Sequence, residues 1–149
     1  MDAPAVAGSP DGKALAVAWM DRRPDDRDAN VYWALIPGGF RAMPGVALKV
    51  SEAPATNSPS GKQTHPALTM DSQGNMVLIW EDSRPGWQAI AAATSRTGKR
   101  NFLLSDRSEG KASYPAVAAG EEGAVVVYEA DRKVRLRLLQ PALLEAVTE

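Results

Sequence analysis

Three places in the chain carry an aromatic side chain followed, four residues later, by an arginine, with an acidic residue between them. A guanidinium group can bind a carboxylate or sugar hydroxyls through its planar set of N–H donors. It can also pair with the neighbouring acid and hold a loop together, and the regular recurrence of the pattern favours this structural interpretation. The three sets are Trp19, Asp21 and Arg23; Trp80, Asp82 and Arg84; and Tyr128, Asp131 and Arg132.

Three further side chains could contact a ligand. Trp87 follows a Pro-Gly pair in a turn, where an exposed indole ring could stack on a sugar. His65 is the only histidine and could act as a general base, although a lone histidine beside a proline is more often structural. Tyr114 also directly precedes a proline. No catalytic residue is assigned, and the candidate ligand-binding residues are Trp87, Arg84, Asp82, His65, Tyr114, Arg23, Asp21 and Arg132.

Metal and cofactor chemistry finds little support in the sequence. The chain has one histidine and no cysteine, so a multi-histidine or thiolate metal site within one chain is excluded. A group of acidic residues could hold a hard cation, but its spacing matches no defined loop and a solvated loop is the preferred interpretation. No cofactor is expected. The acidic group consists of Asp21, Asp25, Asp26 and Asp28.

The aromatic and arginine positions belong to an internal repeat, whose detection comes before any other structural assignment. Each copy opens with a proline, has a glycine eight residues later, and ends an apolar run on the aromatic residue. Agreement of this many offsets is improbable by chance. The copies are PAVAGSPDGKALAVAWMDRR from Pro4 to Arg23, PALTMDSQGNMVLIWEDSR from Pro66 to Arg84, and PAVAAGEEGAVVVYEADR from Pro115 to Arg132.

Each copy contains four short apolar segments separated by turn residues. The runs are rich in Val, Ile and aromatic residues and do not alternate cleanly, which indicates strands covered on both faces and places the repeated aromatics in the core. Four antiparallel strands repeated in sequence are typical of a β-propeller blade. The predicted domain spans residues 1–149, with blades at about 1–65, 66–114 and 115–149. The third and fourth strands are predicted at 31–36 and 46–52, at 89–94 and 102–106, and at 134–139 and 143–149.

The repeat resembles the sialidase-like, BNR-type β-propeller family. The resemblance is carried by the Pro-Ala-Val-Ala opening, the Asp-Gly turn and the Val-Ala-Trp-x-Asp-x-Arg ending of the first copy. The Asp box of the family is degenerate here, its nearest match being SRTGKRNF at 95–102. Sialidases of this superfamily use three arginines, an acid and a tyrosine–glutamate pair, and that set has no match on this chain.

Three blades do not close a ring, because closed propellers have roughly four to eight. An open arc would leave apolar outer faces on the first and third blades, larger than a soluble monomer usually exposes. Two copies would give six blades, so a homodimer with twofold symmetry is expected. The alternative is that the chain is a fragment of a longer six-bladed polypeptide.

Charge and hydropathy narrow the classes of partner. With 17 basic and 18 acidic residues the net charge is -1, which argues against nucleic acid and anionic membranes. No apolar run approaches the ~18–20 residues of a membrane span, and no signal peptide is recognised. Family members are often exported, which tilts the otherwise unknown location towards secreted or periplasmic.

Three functions stay open. The leading hypothesis is a non-catalytic binding module with a carbohydrate ligand on the loop face, where the second-to-third-strand loops meet the residues before each opening proline. The alternatives are a sialidase-like glycoside hydrolase and a protein-interaction scaffold. The fold does not decide among them, because one fold supports many functions.

Overall fold

The computed structural model describes residues 3–22, 28–37, 61–94 and 101–140. This part of the chain is all-β, with ten strands, one 3₁₀ helix at Arg107–Glu109, and no α-helix. The strands are β1 Ala5–Gly8, β2 Ala14–Asp21, β3 Asn30–Pro37, β4 Gln63–Met70, β5 Met76–Asp82, β6 Ala89–Thr94, β7 Phe102–Leu103, β8 Ala112–Gly120, β9 Gly123–Ala130 and β10 Lys133–Leu139.

The strands form three antiparallel sheets, each made of neighbours in the chain. Sheet 1 has the order β1-β2-β3, sheet 2 the order β4-β5-β6-β7, and sheet 3 the order β8-β9-β10. Each sheet comes from one copy of the repeat, so the prediction of an all-β fold is confirmed for the described residues, and the three antiparallel sheets are compatible with one blade per copy. The segments 46–52 and 143–149, predicted as fourth strands of the first and third copies, lie outside the described residues.

Short polar turns join the first two strands in sheets 1 and 2, as the sequences SPDGK and DSQGN predict. Asp11 Oδ1 accepts a hydrogen bond from the Lys13 amide at 3.0 Å, and Asp71 Oδ1 accepts one from the Asn75 amide at 2.8 Å. Gly12 in the first turn has a φ of 69°, a conformation that glycine adopts without steric cost. These side chain to backbone bonds favour a turn over a longer strand.

The core consists of two apolar layers, one on each side of sheet 2. Every residue of β5 is buried, and successive side chains point to opposite faces of the sheet. Leu78 and Trp80 pack against sheet 1, whereas Val77 and Ile79 pack against sheet 3. Coverage of both faces explains why the runs of the repeat do not alternate between apolar and polar residues.

The face of sheet 3 that is turned away from sheet 2, called here its outward face, is apolar and exposed. The outward face of sheet 1 is likewise the one turned away from sheet 2. Val134, Leu136 and Leu138 on β10 are between 54% and 81% exposed. The outward face of sheet 1 is less open: Val6 is 63% exposed, whereas Tyr32 is buried. The first strands β1, β4 and β8 lie side by side, so the sheets fan out from a common inner edge in a manner compatible with propeller blades.

The turn into β9 gives a stability prediction. Gly123 has a φ of 124°, and a Cβ at this position would overlap the Leu139 carbonyl. We expect Gly123→Ala to lower the free energy of unfolding in urea by about 2 kcal/mol or more, since strain and overlap add. Gly12→Ala is the matched control, because a Cβ there meets no atom within 4 Å. Equal losses in the two variants would contradict this account.

Candidate functional site

His65 and Tyr114 occupy equivalent strained positions in two copies of the repeat. Each directly precedes a proline, which disfavours the right-handed helical region for the residue before it. Their φ angles are 51° and 55°, in the left-handed region that residues with a side chain seldom adopt. Each residue and its proline form a β-bulge in which two residues oppose one on the neighbouring strand. Bulges of this kind redirect side chains away from the sheet.

The two redirected side chains meet at one cleft. Their rings lie edge to face, with centroids 6.2 Å apart. The Tyr114 residue is 70% exposed and the His65 side chain 46% exposed. The cleft is open, has a volume of about 310 Å³ and is lined by Ala3, His65, Pro66, Tyr114 and Pro115. Because Ala3 precedes the first opening proline, the cleft collects the corresponding residue of all three copies.

A buried carboxylate lies beneath this cleft. Glu81 Oε1 accepts a hydrogen bond from the Tyr114 main-chain N–H at 2.8 Å. Its Oε2 accepts bonds from the Thr64 hydroxyl at 3.3 Å and from Gln88 Nε2 at 3.0 Å, and lies 3.1 Å from His65 Nδ1. A buried carboxylate is costly unless donors surround it, and here donors come from both sheets. Glu81 therefore fixes both bulges relative to each other.

Gln88 extends this network towards sheet 3. Its Nε2 also donates to the Ala112 carbonyl and to Ser113 Oγ, both at 2.9 Å. The Ala112 amide in turn donates to the Gln88 carbonyl at 3.0 Å. The loop between β5 and β6 is thus joined to the first residues of β8, directly below the cleft.

Glu81 and Gln88 were not among the predicted site residues. A signal for Glu81 was present, since it is a charged residue directly after the last aromatic of an apolar run whose neighbours are all buried. Gln88 lies in the loop between β5 and β6, and no equivalent residue in the other two copies points to it. Neither residue belongs to the aromatic, acid and arginine pattern on which the predicted site was based.

Asp82 and Arg84 form a local ion pair. Asp82 Oδ1 accepts hydrogen bonds from Arg84 Nε at 2.7 Å and from the Arg84 main-chain N–H at 3.0 Å, and Trp80 Nε1 donates to Asp82 Oδ2 at 3.0 Å. A second guanidinium nitrogen contacts Asp82 Oδ2. Asp82 is buried and Arg84 is half-buried, and the guanidinium is already paired with its own neighbour. They line a second cleft of about 290 Å³, which shares no lining residue with the first.

The remaining predicted residues do not join either cleft. Trp87 is half-buried and lines neither of them. Arg132 lies with Asp131 in a two-residue turn between β9 and β10, where φ values of 58° and 51° define a type I′ hairpin. Asp21 ends β2 and is exposed, and Arg23 lies outside the described residues.

The acidic loop gives no metal centre in the part of the chain that the structure describes, where no three His, Asp or Glu residues are placed to hold an ion. Asp28 Oδ2 accepts a hydrogen bond from the Gly61 amide at 3.0 Å, which joins two segments of the chain. Asp25 and Asp26 lie outside the described residues. Among the described elements no helix is long and apolar enough to span a membrane.

One tyrosine–glutamate hydrogen bond lies elsewhere in the fold. Tyr128 Oη donates to Glu109 Oε2 at 2.6 Å, and Arg137 pairs with Glu109 while its guanidinium lies 5.7 Å from the centroid of the Tyr128 ring. Burial, together with the hydrogen bond to Glu109, raises the pKa of Tyr128 to about 12. The Tyr128 side chain is buried and lines neither cleft, so this cluster joins the 3₁₀ helix to sheet 3.

The Tyr128 hydroxyl makes stability depend on pH. Its pKa is about 12 in the folded chain against an ordinary value of 10.0, so the stabilisation is complete below pH 10 and lost as pH rises to about 12. We expect the free energy of unfolding, measured in urea at stepwise pH, to fall less steeply over this range in Tyr128→Phe than in wild type. Tyr114→Phe, which changes an exposed ring, should keep the wild-type slope. A wild-type slope in Tyr128→Phe would contradict the assignment.

Comparison with known proteins gives no relative for this chain: no protein-family model matches it, and a search of curated proteins finds no significant match. The resemblance to sialidase-like repeats therefore rests on the repeated residues alone.

Proposed function

We propose that this chain is a non-catalytic binding module whose ligand is a carbohydrate, held over the cleft of His65 and Tyr114. The observation that carries the proposal is the exposed ring of Tyr114, carried on a main chain that a hydrogen bond and a bulge hold in place. A tyrosine ring offers an apolar face that can lie against the C–H face of a sugar, with a hydroxyl at its edge for hydrogen bonding. The imidazole of His65 can donate or accept further hydrogen bonds to sugar hydroxyls.

Rigidity of the cleft supports binding. The main chain of Tyr114 is fixed by the bulge, by the following proline and by the bond from its N–H to Glu81. The His65 ring contacts Glu81 and the edge of the Tyr114 ring. Side chains that are ordered before a ligand arrives lose little conformational entropy on binding, which raises affinity.

Hydrolysis finds less support in the same geometry. Most glycosidases need two carboxylates about 5 to 9.5 Å apart, whereas sialidases use a tyrosine paired with a glutamate together with a cluster of arginines. Here the Glu81 carboxylate accepts the main-chain N–H of Tyr114, and no arginine is among the described residues that line the cleft. The described residues that line the cleft include no carboxylate. Glu81 lies beneath them, buried, with both of its oxygens engaged. The cleft is therefore better suited to holding a sugar than to cleaving a glycosidic bond.

We further propose that the three sheets are propeller blades and that two copies close a six-bladed ring. The support comes from β6 and β10, which hold equivalent places in sheets 2 and 3. The β6 side chains that point towards sheet 3 are covered by it and are completely buried. The β10 side chains that point away from sheet 2 are exposed. The equivalent pairs are Ile90 and Val134, Ala92 and Leu136, and Thr94 and Leu138.

The proposed occupant of the exposed sheet 3 face is the outward face of sheet 1 in a second copy. That face is apolar, with Val6 exposed and Leu15, Val17 and Trp19 half-buried. Under twofold symmetry each face is used once per chain, so the assembly closes without a free face. The ring then has six blades, within the range of known propellers.

Leu136→Lys tests the closure. A charge buried in this interface is costly, so we expect the wild type to sediment at twice 15.9 kDa and the variant to dissociate at least about tenfold more readily. Analytical ultracentrifugation over a range of concentrations measures both. Leu103→Lys, at an exposed leucine on β7, is the matched control and should remain dimeric. A wild type of 15.9 kDa at every concentration, or equal behaviour of the two variants, would refute the closure.

Tyr114→Ala tests the ligand site. We expect the wild type to bind members of an array of neutral and sialylated oligosaccharides, and the variant to bind the strongest of them at least about tenfold more weakly by calorimetry, a difference of about 1.4 kcal/mol. Trp87→Ala removes an aromatic ring that does not line the cleft and should leave the affinity unchanged. Absence of binding to the whole array, or turnover of fluorogenic glycosides by the wild type, would count against a non-catalytic carbohydrate module.

A further inference from the structure

We infer that the carboxylate of Glu129 accepts the main-chain N–H of Ala3 of the partner subunit, and that the second copy thereby completes the rim of the ligand cleft. The inference rests on the proposed six-bladed closure and adds to it a residue-level contact. It is drawn from a junction that this chain already contains between its own sheets 2 and 3.

The junction between sheets 2 and 3 supplies the template. Glu81 follows the aromatic Trp80 and lies opposite Thr64, at the bulge of β4. Its side chain alternates with Trp80 and so points to the face that sheet 3 covers. There it accepts the N–H of Tyr114, the residue directly before the proline that opens the third copy.

Glu129 repeats every element of this arrangement one copy later. It follows the aromatic Tyr128 and lies opposite Ser113, at the bulge of β8. By the same alternation it points to the outward face of sheet 3, alongside Val125 and Val127. The Glu129 residue is exposed, and its carboxylate has no hydrogen bond or ion pair within the described residues. In a closed ring this is the carboxylate that would face the next blade.

Ala3 is the matching donor. In a ring of two copies, the blade after the third is the first blade of the other chain, and its residue before the opening proline is Ala3. Ala3 already lines the cleft with His65 and Tyr114 in its own chain. It would therefore stand at the rim between the cleft of one copy and the carboxylate of the other.

The first copy differs from the other two at the carboxylate position. Met20 stands where the later copies have Glu81 and Glu129, so the junction between sheets 1 and 2 lacks this bond. Four of the six junctions in the ring would carry a carboxylate, two within chains and two between them. The intermolecular pair would fix the register of the two copies, since an apolar face alone permits sliding.

Cysteine pairing tests the contact, because the chain contains no cysteine of its own. We expect the double variant Ala3→Cys, Glu129→Cys to give a covalent dimer on a non-reducing gel, after mild oxidation or treatment with a short bis-maleimide. The control pair Ala3→Cys, Glu121→Cys places the second thiol in the turn before β9, at the other end of that strand, and should stay largely monomeric on the gel. Equal yields from the two pairs would overturn the inference.

The dissociation constant of the dimer gives an independent measurement. Loss of a hydrogen bond to a buried carboxylate should weaken the dimer about tenfold in Glu129→Ala, whereas Glu122→Ala, in the turn at the far end of the strand, should leave it unchanged. A wild-type dimer with no specific cross-link and no effect of Glu129→Ala would refute the contact while leaving the closure intact. A monomeric wild type would refute both, whereas the contribution of Tyr114 to sugar binding is measured separately through Tyr114→Ala.

Discussion

Sheet 2 is apolar on both faces, and the rest of the fold depends on the need to cover them. Every residue of β5 is buried, from Met76 to Asp82, because sheet 1 and sheet 3 pack on opposite sides. Burial of apolar surface on this scale is the main stabilising term available to a chain of this size. The same composition in sheets 1 and 3 leaves each with one face that the chain's described sheets do not cover, and that unequal coverage is the physical argument for a second copy.

The polar groups beneath the cleft lie where they do because a buried carboxylate is unfavourable unless hydrogen-bond donors surround it. Glu81 lies at the edge of the apolar layer and is stabilised only because sheets 2 and 3 both supply donors. This requirement fixes where the two bulges meet. The positions of His65 and Tyr114 thus depend on one carboxylate, which contacts the His65 imidazole and the main-chain N–H of Tyr114. Packing of the sheets and the form of the cleft are therefore parts of one arrangement.

Repeat offsets predicted the sheets well, because strand position depends on local pattern and each copy supplies the same pattern. The equal places of His65 and Tyr114 before a proline predicted that both lie on one face of the fold, whereas the cleft that they share was not predicted. The common offset of four residues from aromatic to arginine did not predict the place of Arg132. The same spacing gives an ion pair after Trp80 and a type I′ hairpin after Tyr128. Glu81 was missed because its partners lie 33 residues away at Tyr114 and 7 away at Gln88, and no local pattern encodes such a meeting.

Differences among the copies separate structural from ligand-binding positions. The opening proline, the turn glycine and the closing aromatic recur in all three copies. The residue before the proline is instead Ala3, His65 and Tyr114 in turn. All three line the same cleft, and the bulges of β4 and β8 place very different side chains there without altering the strands beside them. His65 and Tyr114 share one backbone geometry while their side chains differ, so this is a position where the fold can change its ligand at little cost to stability. It is also the position at which the cleft meets solvent.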